Sequence, residues 1–153
     1  MTKLAANLSM LFNEHDFLDR FEAAAKAGFK GVEFLFPYEY EASVLAEKLS
    51  SNGLTQVLFN LPAGDWAGGD RGIACDPARQ QEFREGVAQA IDYAKVLGNT
   101  QVNCLAGIPP EGVDAATAET TFVDNLKYAA EALKGAGIRL VIEAINTIDI
   151  PGF

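Results

Sequence analysis

Apolar residues along the chain follow two alternating patterns, one with the spacing of a helix face and one with the near-continuous run of a buried strand. From Phe17 to Ala25 the apolar positions recur at helical spacing, whereas Gly31 to Phe36 is almost uninterrupted and stops at Pro37. This succession repeats to the end of the chain. Predicted strands span 4–10, 31–36, 55–61, 100–105 and 138–145, and the helices between them carry their buried stripes at 17–25, 45–49, 83–97 and 122–133. The pattern therefore predicts five strands and four helices in strict alternation.

Capping residues mark the ends of several predicted helices. Gly28 and Gly98 follow the first and third helices, where a left-handed backbone conformation is accessible to glycine. Asp76 and Pro77 predict the start of the third helix, with Asp76 as N-cap and Pro77 at the first helical position. The fourth helix is predicted to begin near Asp114.

Strict alternation of helices with apolar strands predicts a parallel sheet covered by helices. Two architectures fit this pattern, an open doubly wound sheet and a (β/α)8 barrel. The sequence has no glycine-rich dinucleotide fingerprint after its first strand and no phosphate-binding loop, which disfavours a nucleotide-binding open sheet. Polar residues near the carboxyl ends of the strands favour the barrel, because a barrel gathers them at one mouth. These residues are Asn7, Ser9, Glu33, Asn60, Asn103, Glu143 and Asn146.

The length of the chain predicts only part of such a barrel. A typical (β/α)8 barrel needs about 250 residues, whereas the chain has 153. We therefore expect one domain, residues 1–153, forming a partial (β/α)8 TIM barrel of about five strands and four helices that is truncated after strand five. The first and fifth strands would then have unpaired edges, which favour association with another chain.

Composition excludes several classes of protein. Hydrophobic residues make up 49% of the chain and charged residues 22%, as in ordinary globular proteins. The formal charge of −9 disfavours partners with an anionic surface, both nucleic acid and membrane. No apolar run reaches the roughly 18 residues of a membrane span, and the start of the chain lacks the apolar core of a signal peptide. Together with two cysteines that have no paired spacing, these features predict a cytoplasmic protein.

Glu143 is the strongest candidate for a catalytic residue. It ends the apolar strand that contains Val141 and, by alternation, shares a face with Val141 and Ile145. A carboxylate at this end of a parallel strand is suited to ligate a hard divalent cation or to move a proton next to a carbonyl group. The alternative is a structural carboxylate that pairs with a loop amide or a lysine.

Three further polar residues are considered as candidates for the site. Glu33 lies in an apolar strand, so it needs a partner or a raised pKa, and it either orients other site groups or pairs with a cation. Asn103 on the fourth strand is predicted to contact substrate or to pack in the core. His15 is the only histidine and is predicted to lie on the surface, which leaves a histidine metal site within the chain unsupported.

The connection between the third strand and the third helix is unusually long. Residues 60–72 are rich in glycine, and loops of this length are typically functional or disordered. Trp66 is suited to cover a pocket and exclude water, and Arg71 offers a planar pair of donors for a substrate carboxylate. The alternative is a surface excursion with a solvated arginine.

Four segments together carry a resemblance to a known family. The chain resembles the hydroxypyruvate isomerases of the sugar isomerase/epimerase superfamily, whose members are xylose isomerase-like barrels. The segments that carry it are Ala5-Ala6-Asn7-Leu8-Ser9-Met10, Val32-Glu33-Phe34-Leu35-Phe36-Pro37-Tyr38, Phe59-Asn60-Leu61-Pro62-Ala63-Gly64-Asp65 and Glu143-Ala144-Ile145-Asn146. The resemblance runs in register over essentially the whole chain.

This resemblance implies an enzyme that interconverts hydroxypyruvate and tartronate semialdehyde through an enediolate. It implies a proton-transfer and metal-site role for Glu143, with Mg²⁺ or Mn²⁺ as the divalent ion of the complete enzyme. In the family a second glutamate comes from the last strand and other ligands come from strands six and seven, which the 153 residues do not include. Arg71, Glu33 and Asn103 fall where substrate contacts are expected.

Two other hypotheses remain open. The chain would be a related sugar or keto-acid isomerase or epimerase of the same superfamily if its substrate-facing loops select another compound. Alternatively, it would be a non-catalytic partial barrel stabilised by self-association, because pairing with another copy covers the open strand edges. The expected partners are therefore a small-molecule substrate and, in the last case, a second copy of the chain.

Overall fold

The computed structural model describes residues 2–146 and 148, which form strands and helices in strict alternation. The elements are β1 (Ala5–Asn7), a 3-10 turn (Phe17–Asp19), α1 (Arg20–Lys26), β2 (Gly31–Glu33), α2 (Ala42–Ser51), β3 (Thr55–Leu58), α3 (Gln80–Leu97), β4 (Gln101–Asn103), α4 (Ala115–Gly135) and β5 (Arg139–Val141). The predicted alternation of five strands and four helices is confirmed.

All strand pairs are parallel and follow the order of the sequence. One sheet has the order β1-β2-β3, and a second contains β4 and β5. A bridge between Asn60 and Asn103 joins them just after β3: the Leu61 amide donates to the Asn103 carbonyl at 2.8 Å, and the Asn103 amide donates to the Phe59 carbonyl at 2.9 Å. The described residues therefore form a consecutive run of five strands without a closed barrel, as predicted for a partial barrel.

The hydrophobic core lies between the strands and the helices. Alternate strand residues face the helices and are buried, and the helices contribute many of the residues predicted from their periodicity. On β1 and β2 and directly after them these are Ala6, Leu8, Val32 and Phe34, and on the helices they include Phe21, Leu45, Leu49, Phe83, Val87, Ala90, Ala94 and Leu133. On α4 the prediction is only partly right, because Ala130 is exposed whereas Thr121 and Asn125 are buried. Burial of each large side chain contributes about 1.5–3 kcal/mol, so this layer accounts for much of the stability of the fold.

The opposite face of the sheet has little cover in the described residues. A Cβ placed on Gly31 would lie 3.1 Å from Val57 Cγ1 and 3.5 Å from Ala5 Cβ, so these three positions share this face. Ala5 is exposed and Val57 is only partly buried. In a closed barrel this face would be the interior, so its exposure agrees with a partial barrel.

The predicted start of the third helix is wrong, whereas that of the fourth is confirmed. Asp76 does not cap a helix at Pro77; its side chain accepts a hydrogen bond from the Ala78 amide at 2.8 Å in a separate turn, and α3 begins at Gln80. Asp114 caps α4, because its side chain accepts from the Thr117 amide at 2.9 Å.

The other surface and capping predictions agree with the structure. Gly28, which follows the C-cap residue Ala27 of α1, has φ +94°, as expected for glycine at that position. His15 is exposed. Among the described residues, none of the helices combines the length and apolar composition that a membrane span requires.

Candidate active site

A cavity of about 490 Å³ lies at the carboxyl ends of the strands and brings all four predicted site residues together. Its wall includes Glu33, Arg71, Asn103 and Glu143, with the polar residues Asn7 and Asn60 and the aromatic ring of Trp66. The carboxyl ends of parallel strands are the usual position of ligand sites in α/β proteins. The cavity is therefore the candidate active site.

A larger cavity, of about 820 Å³, lies at the opposite ends of β1, β2 and β3. Its wall is mostly apolar, and its charged residues are Lys3 and Lys30, with no carboxylate. We place the candidate site in the smaller cavity, because only that cavity combines acids, amides and an arginine.

Glu33 is held by an amide rather than by a cation. Asn7 Nδ2 donates to Glu33 Oε1 at 3.0 Å, and Asn7 Oδ1 accepts from the Ser9 amide at 3.0 Å. Among the described residues Glu33 forms no ion pair, so the expected pairing with a cation is not seen there. The Glu33 side chain is half-buried, and the chain of hydrogen bonds from Ser9 through Asn7 fixes its orientation at the cavity wall.

Asn60 and Asn103 form a buried amide pair beneath the cavity. Asn103 Nδ2 donates to Asn60 Oδ1 at 2.9 Å, and the two residues are only 3% and 5% exposed, for Asn103 and Asn60 respectively. Asn103 Oδ1 has no hydrogen-bond partner within the described part of the chain. Leaving a buried acceptor without a donor costs free energy, so this oxygen is a candidate position for a further hydrogen bond.

Tyr38 fixes the backbone of this amide pair. Its hydroxyl group donates to the Asn60 carbonyl at 2.7 Å. Burial raises the pKa of the Tyr38 hydroxyl well above its ordinary value, so the group stays neutral and keeps its proton for this bond. Tyr38 therefore supports the amide pair through the Asn60 backbone.

The Arg71 guanidinium lies over the Trp66 ring. Its Cζ atom is 4.4 Å from the centre of the Trp66 ring, and its Nη1 donates to the carbonyl groups of Asp70 at 2.7 Å and Trp66 at 3.2 Å. Within the described residues no carboxylate pairs with Arg71. A cation that is oriented by carbonyl groups and an aromatic face, and has no protein anion beside it, is suited to receive an anionic ligand.

Trp66 is positioned between the cavity and solvent. It is 37% exposed, and its ring centre lies 5.0 Å from that of Phe36. This position is compatible with the predicted covering role, which remains a prediction.

Glu143 lies at the cavity just beyond β5. The structure ends this strand at Val141, so the predicted strand 138–145 is too long, yet Glu143 and Ile145 both line the cavity as the predicted alternation requires. The Glu143 side chain is exposed. It is therefore accessible to a ligand rather than enclosed above a barrel core.

The metal role expected for Glu143 stays a prediction. Its carboxylate and that of Glu33 are oxygen donors of the kind that Mg²⁺ and Mn²⁺ prefer. Among residues 2–146 and 148, no group of three or more histidine, cysteine or acidic side chains is placed to hold a metal ion. Glu143 therefore fits as one ligand of a larger set.

The contacts of the Asp70 side chain next to the site were not predictable from the sequence. Asp70 Oδ2 accepts hydrogen bonds at 2.7 Å from the Asp65 amide and from Arg79 Nη1. The residues are separated by irregular chain, and no periodic spacing links them. Their contact becomes visible only when the loop is folded.

Comparison with known proteins assigns this architecture to a family. The sequence profile of the xylose isomerase-like TIM barrel matches residues 21–153. The chain belongs to this family. It is 57% identical over 153 residues to hydroxypyruvate isomerase of Escherichia coli and 50% identical over 153 residues to 2-oxo-tetronate isomerase of Cupriavidus necator. In both comparisons the match covers 100% of the chain and 59% of the relative.

A solved structure shares the fold of the whole chain. The crystal structure of AP endonuclease, family 2, from Brucella melitensis superposes with a TM-score of 0.96 at 50% sequence identity, covering 100% of this chain and 59% of that one. The chain thus spans somewhat less than two thirds of the relatives it matches. The family and the partial-barrel fold are established, and the activity is argued below.

Proposed function

We propose that the chain carries part of the active site of an isomerase that interconverts hydroxypyruvate and tartronate semialdehyde. The observation that carries this proposal is the cavity itself. There Arg71, which pairs with no carboxylate among the described residues, lies on the same wall as two carboxylates and a buried amide acceptor that has no partner in that part of the chain. The similarity to the Escherichia coli hydroxypyruvate isomerase supports the choice of substrate.

The cavity residues suit the chemistry of this reaction. Isomerisation removes a proton from C3 of hydroxypyruvate and adds one at C2, with an enediolate between the two steps, while the oxygen protons move in the opposite sense. Arg71 would bind the substrate carboxylate through its free N–H groups, and Asn103 Oδ1 would accept from a substrate hydroxyl. Glu143 would take the carbon-bound proton and return it to the neighbouring carbon.

Glu33 would have a supporting role in this arrangement. Since Asn7 holds one of its carboxylate oxygens, the other is available to a substrate hydroxyl group. A divalent ion, Mg²⁺ or Mn²⁺, with Glu143 among its ligands would stabilise the negative charge of the enediolate oxygens.

A second candidate is isomerisation of a related four-carbon acid. The 50% identity to the Cupriavidus 2-oxo-tetronate isomerase favours it, and the same carboxylate, hydroxyl and carbonyl groups would meet the same residues. A DNA-directed activity, which the name of the Brucella protein would suggest, is disfavoured by the formal charge of −9. A non-catalytic, self-associating partial barrel remains the alternative of a different class.

Proton abstraction provides a direct test. The chain is incubated with hydroxypyruvate and Mg²⁺ in D2O, and loss of the C3 proton signal is followed by NMR against the rate in buffer. We expect exchange above the buffer rate, and a loss of about 100-fold in Glu143→Gln, as for other general bases. Glu131→Gln removes an exposed carboxylate from α4 and should retain the full rate.

The exchange rates of the variants and of the two acids distinguish the proposed function from its alternatives. Exchange that survives Glu143→Gln would refute the role of Glu143. Exchange with 2-oxo-tetronate but not with hydroxypyruvate would select the second candidate. Absence of exchange with both acids would overturn the catalytic proposal for this chain.

A further inference from the structure

The loop from Ala63 to Gly72, called here loop 63–72, is organised around the side chain of Asp70. Asp70 Oδ2 accepts from the Asp65 amide at 2.7 Å, and the Asp70 amide donates to the Asp65 carbonyl at 2.9 Å. The Gly72 amide donates to the Ala63 carbonyl at 3.2 Å and closes the base of the loop. The Asp70 carboxylate thus acts as an internal support for this loop.

Arg79 connects that support to α3. Its Nη1 lies 2.7 Å from Asp70 Oδ2, while its Nε and Nη2 each lie 2.7 Å from an oxygen of Glu82 in the first turn of the helix. The side chains of Arg79 and Asp70 are 29% and 31% exposed. One planar guanidinium therefore bridges a carboxylate of the loop and a carboxylate of the helix, a geometry that lysine cannot reproduce.

Asp70 also reaches the ligand-facing arginine through its backbone. Its carbonyl accepts from Arg71 Nη1 at 2.7 Å, and the Trp66 carbonyl and ring complete the surroundings of that guanidinium. The side chain of Asp70 is thus bound to Arg79, and its main chain is bound to Arg71. Movement of Asp70 would displace both Arg71 and the turn that carries Trp66.

We propose that Arg79 is a positioning residue that, through Asp70, holds loop 63–72 so that Arg71 faces a ligand carboxylate in the cavity. Arg79 does not line the cavity, so its effect reaches the ligand only through the loop. The inference rests on the proposed function in one respect, that Arg71 binds a carboxylate. It does not require that the chain catalyse isomerisation.

Trp66 is the only tryptophan in the chain, which gives the test its signal. D-glycerate is the probe, because it retains a carboxylate and hydroxyl groups but cannot isomerise, and its binding to the 153-residue chain is followed by Trp66 fluorescence. Arg71→Met should weaken binding at least about tenfold, as for loss of a charged hydrogen bond. Arg79→Met should weaken it about three- to tenfold and change the Trp66 emission of the free protein.

Two comparisons separate positioning from a general loss of structure. Glu82→Gln removes the helix partner of Arg79 but leaves the contact with Asp70, so affinity should change less than twofold. In the Arg71→Met background, Arg79→Met should cause no further loss, because its effect passes through Arg71. Arg79→Lys, which keeps the charge near Asp70, should recover part of the affinity, and Asp70→Asn should reproduce Arg79→Met.

The inference is overturned if Arg79→Met and Asp70→Asn bind D-glycerate like the unmodified chain, or if the Arg71 and Arg79 effects simply add. Circular dichroism with urea unfolding identifies any variant that does not fold. If Arg79→Met does not fold, the affinities of the Arg79→Lys and Asp70→Asn variants for D-glycerate test the inference. If no D-glycerate binds to the unmodified chain, the carboxylate role of Arg71 fails together with the inference. Binding without proton exchange would leave the inference intact and overturn only the proposed catalysis.

Discussion

Replacement of Gly64 by alanine should destabilise the chain more than its backbone conformation alone explains. Gly64 has φ +84°, and a Cβ at this position would overlap Asp70 Oδ2 and lie 2.8 Å from Arg79 Nη2 and 2.8 Å from Ile73 Cγ2. Ile73 is buried, so its side chain has little room to move away from the added methyl group. The added methyl group therefore displaces the Asp70 carboxylate from its contacts.

Two contributions determine the magnitude. An alanine in the left-handed region costs about 1–2 kcal/mol relative to glycine. Loss of the bonds from the Asp65 amide and Arg79 to Asp70 adds roughly 1–2 kcal/mol, since water replaces them in part at this half-buried position. The sum is about 2–4 kcal/mol, a large share of the roughly 5–15 kcal/mol that separates folded from unfolded domains.

Gly28→Ala provides the matched control. Gly28 has φ +94°, and a Cβ there would meet nothing within 4 Å, so this variant should lose only the backbone contribution of about 1–2 kcal/mol. Urea unfolding followed by circular dichroism measures both variants, and Trp66 fluorescence reports on the loop. Equal destabilisation in the two variants would refute the steric argument and, with it, the assigned geometry of Asp70.

Three further predictions test other parts of the structure. Asn103→Ala should lower the affinity for D-glycerate about tenfold but leave the affinity for propionate nearly unchanged, because only D-glycerate offers a hydroxyl donor. Equal losses of affinity for the two acids in the Trp66 fluorescence titration would contradict this. Burial raises the pKa of Cys104 to about 12, so native protein at pH 8 should react with a thiol reagent far more slowly than urea-unfolded protein. The stability tied to the neutral thiol should be present below the unfolded-state pKa and fall as the pH rises toward 12; native labelling at the unfolded rate would contradict the burial. Phe21→Ala, at a fully buried ring, should cost about 3–5 kcal/mol in urea unfolding, whereas Val123→Ala, 41% exposed on α4, should cost under about 0.5 kcal/mol.

The helices and their buried faces were predictable from the sequence because their signal repeats over many residues. Phe83, Val87, Ala90 and Ala94 lie on one face of α3 at helical spacing, and all are buried. A stripe of this length specifies both the element and the side that packs. The predicted order of strands and helices followed from repeats of this kind.

Strand ends were less predictable because they depend on partners in other segments. The first strand was expected to span 4–10, but β1 ends at Asn7. Beyond it, Ser9 Oγ accepts from the Leu35 amide at 2.9 Å, and Asn7 Oδ1 accepts from the Ser9 amide. Side chains thus replace the backbone ladder where the site begins, and an apolar pattern alone does not reveal that change.

That the candidate site residues of the strands meet at one cavity was predictable for a topological reason. Glu33 and Asn103 end strands of the two parallel sheets that the Asn60–Asn103 bridge joins, and Glu143 follows β5, so all three line one cavity at the carboxyl ends of the strands. Arg71 was predicted as a substrate contact from its residue type and its place in a long loop alone. Its orientation was not, since that depends on the Trp66 ring, two carbonyl groups and the distant Arg79.

The error in the predicted start of α3 and the inferred role of Arg79 have the same structural origin. A helix that began at Pro77 would place Arg79 within its first turn, with helical backbone angles. Instead the Asp76 side chain binds the Ala78 amide, and Arg79 precedes the helix with φ −112° and ψ 20°. From this position its guanidinium reaches Asp70 on one side and Glu82 on the other. Because α3 begins only at Gln80, Arg79 at its amino-terminal end can hold the loop that carries Arg71. Local capping rules did not predict this helix start, because the deciding contact is with Asp70 in that loop.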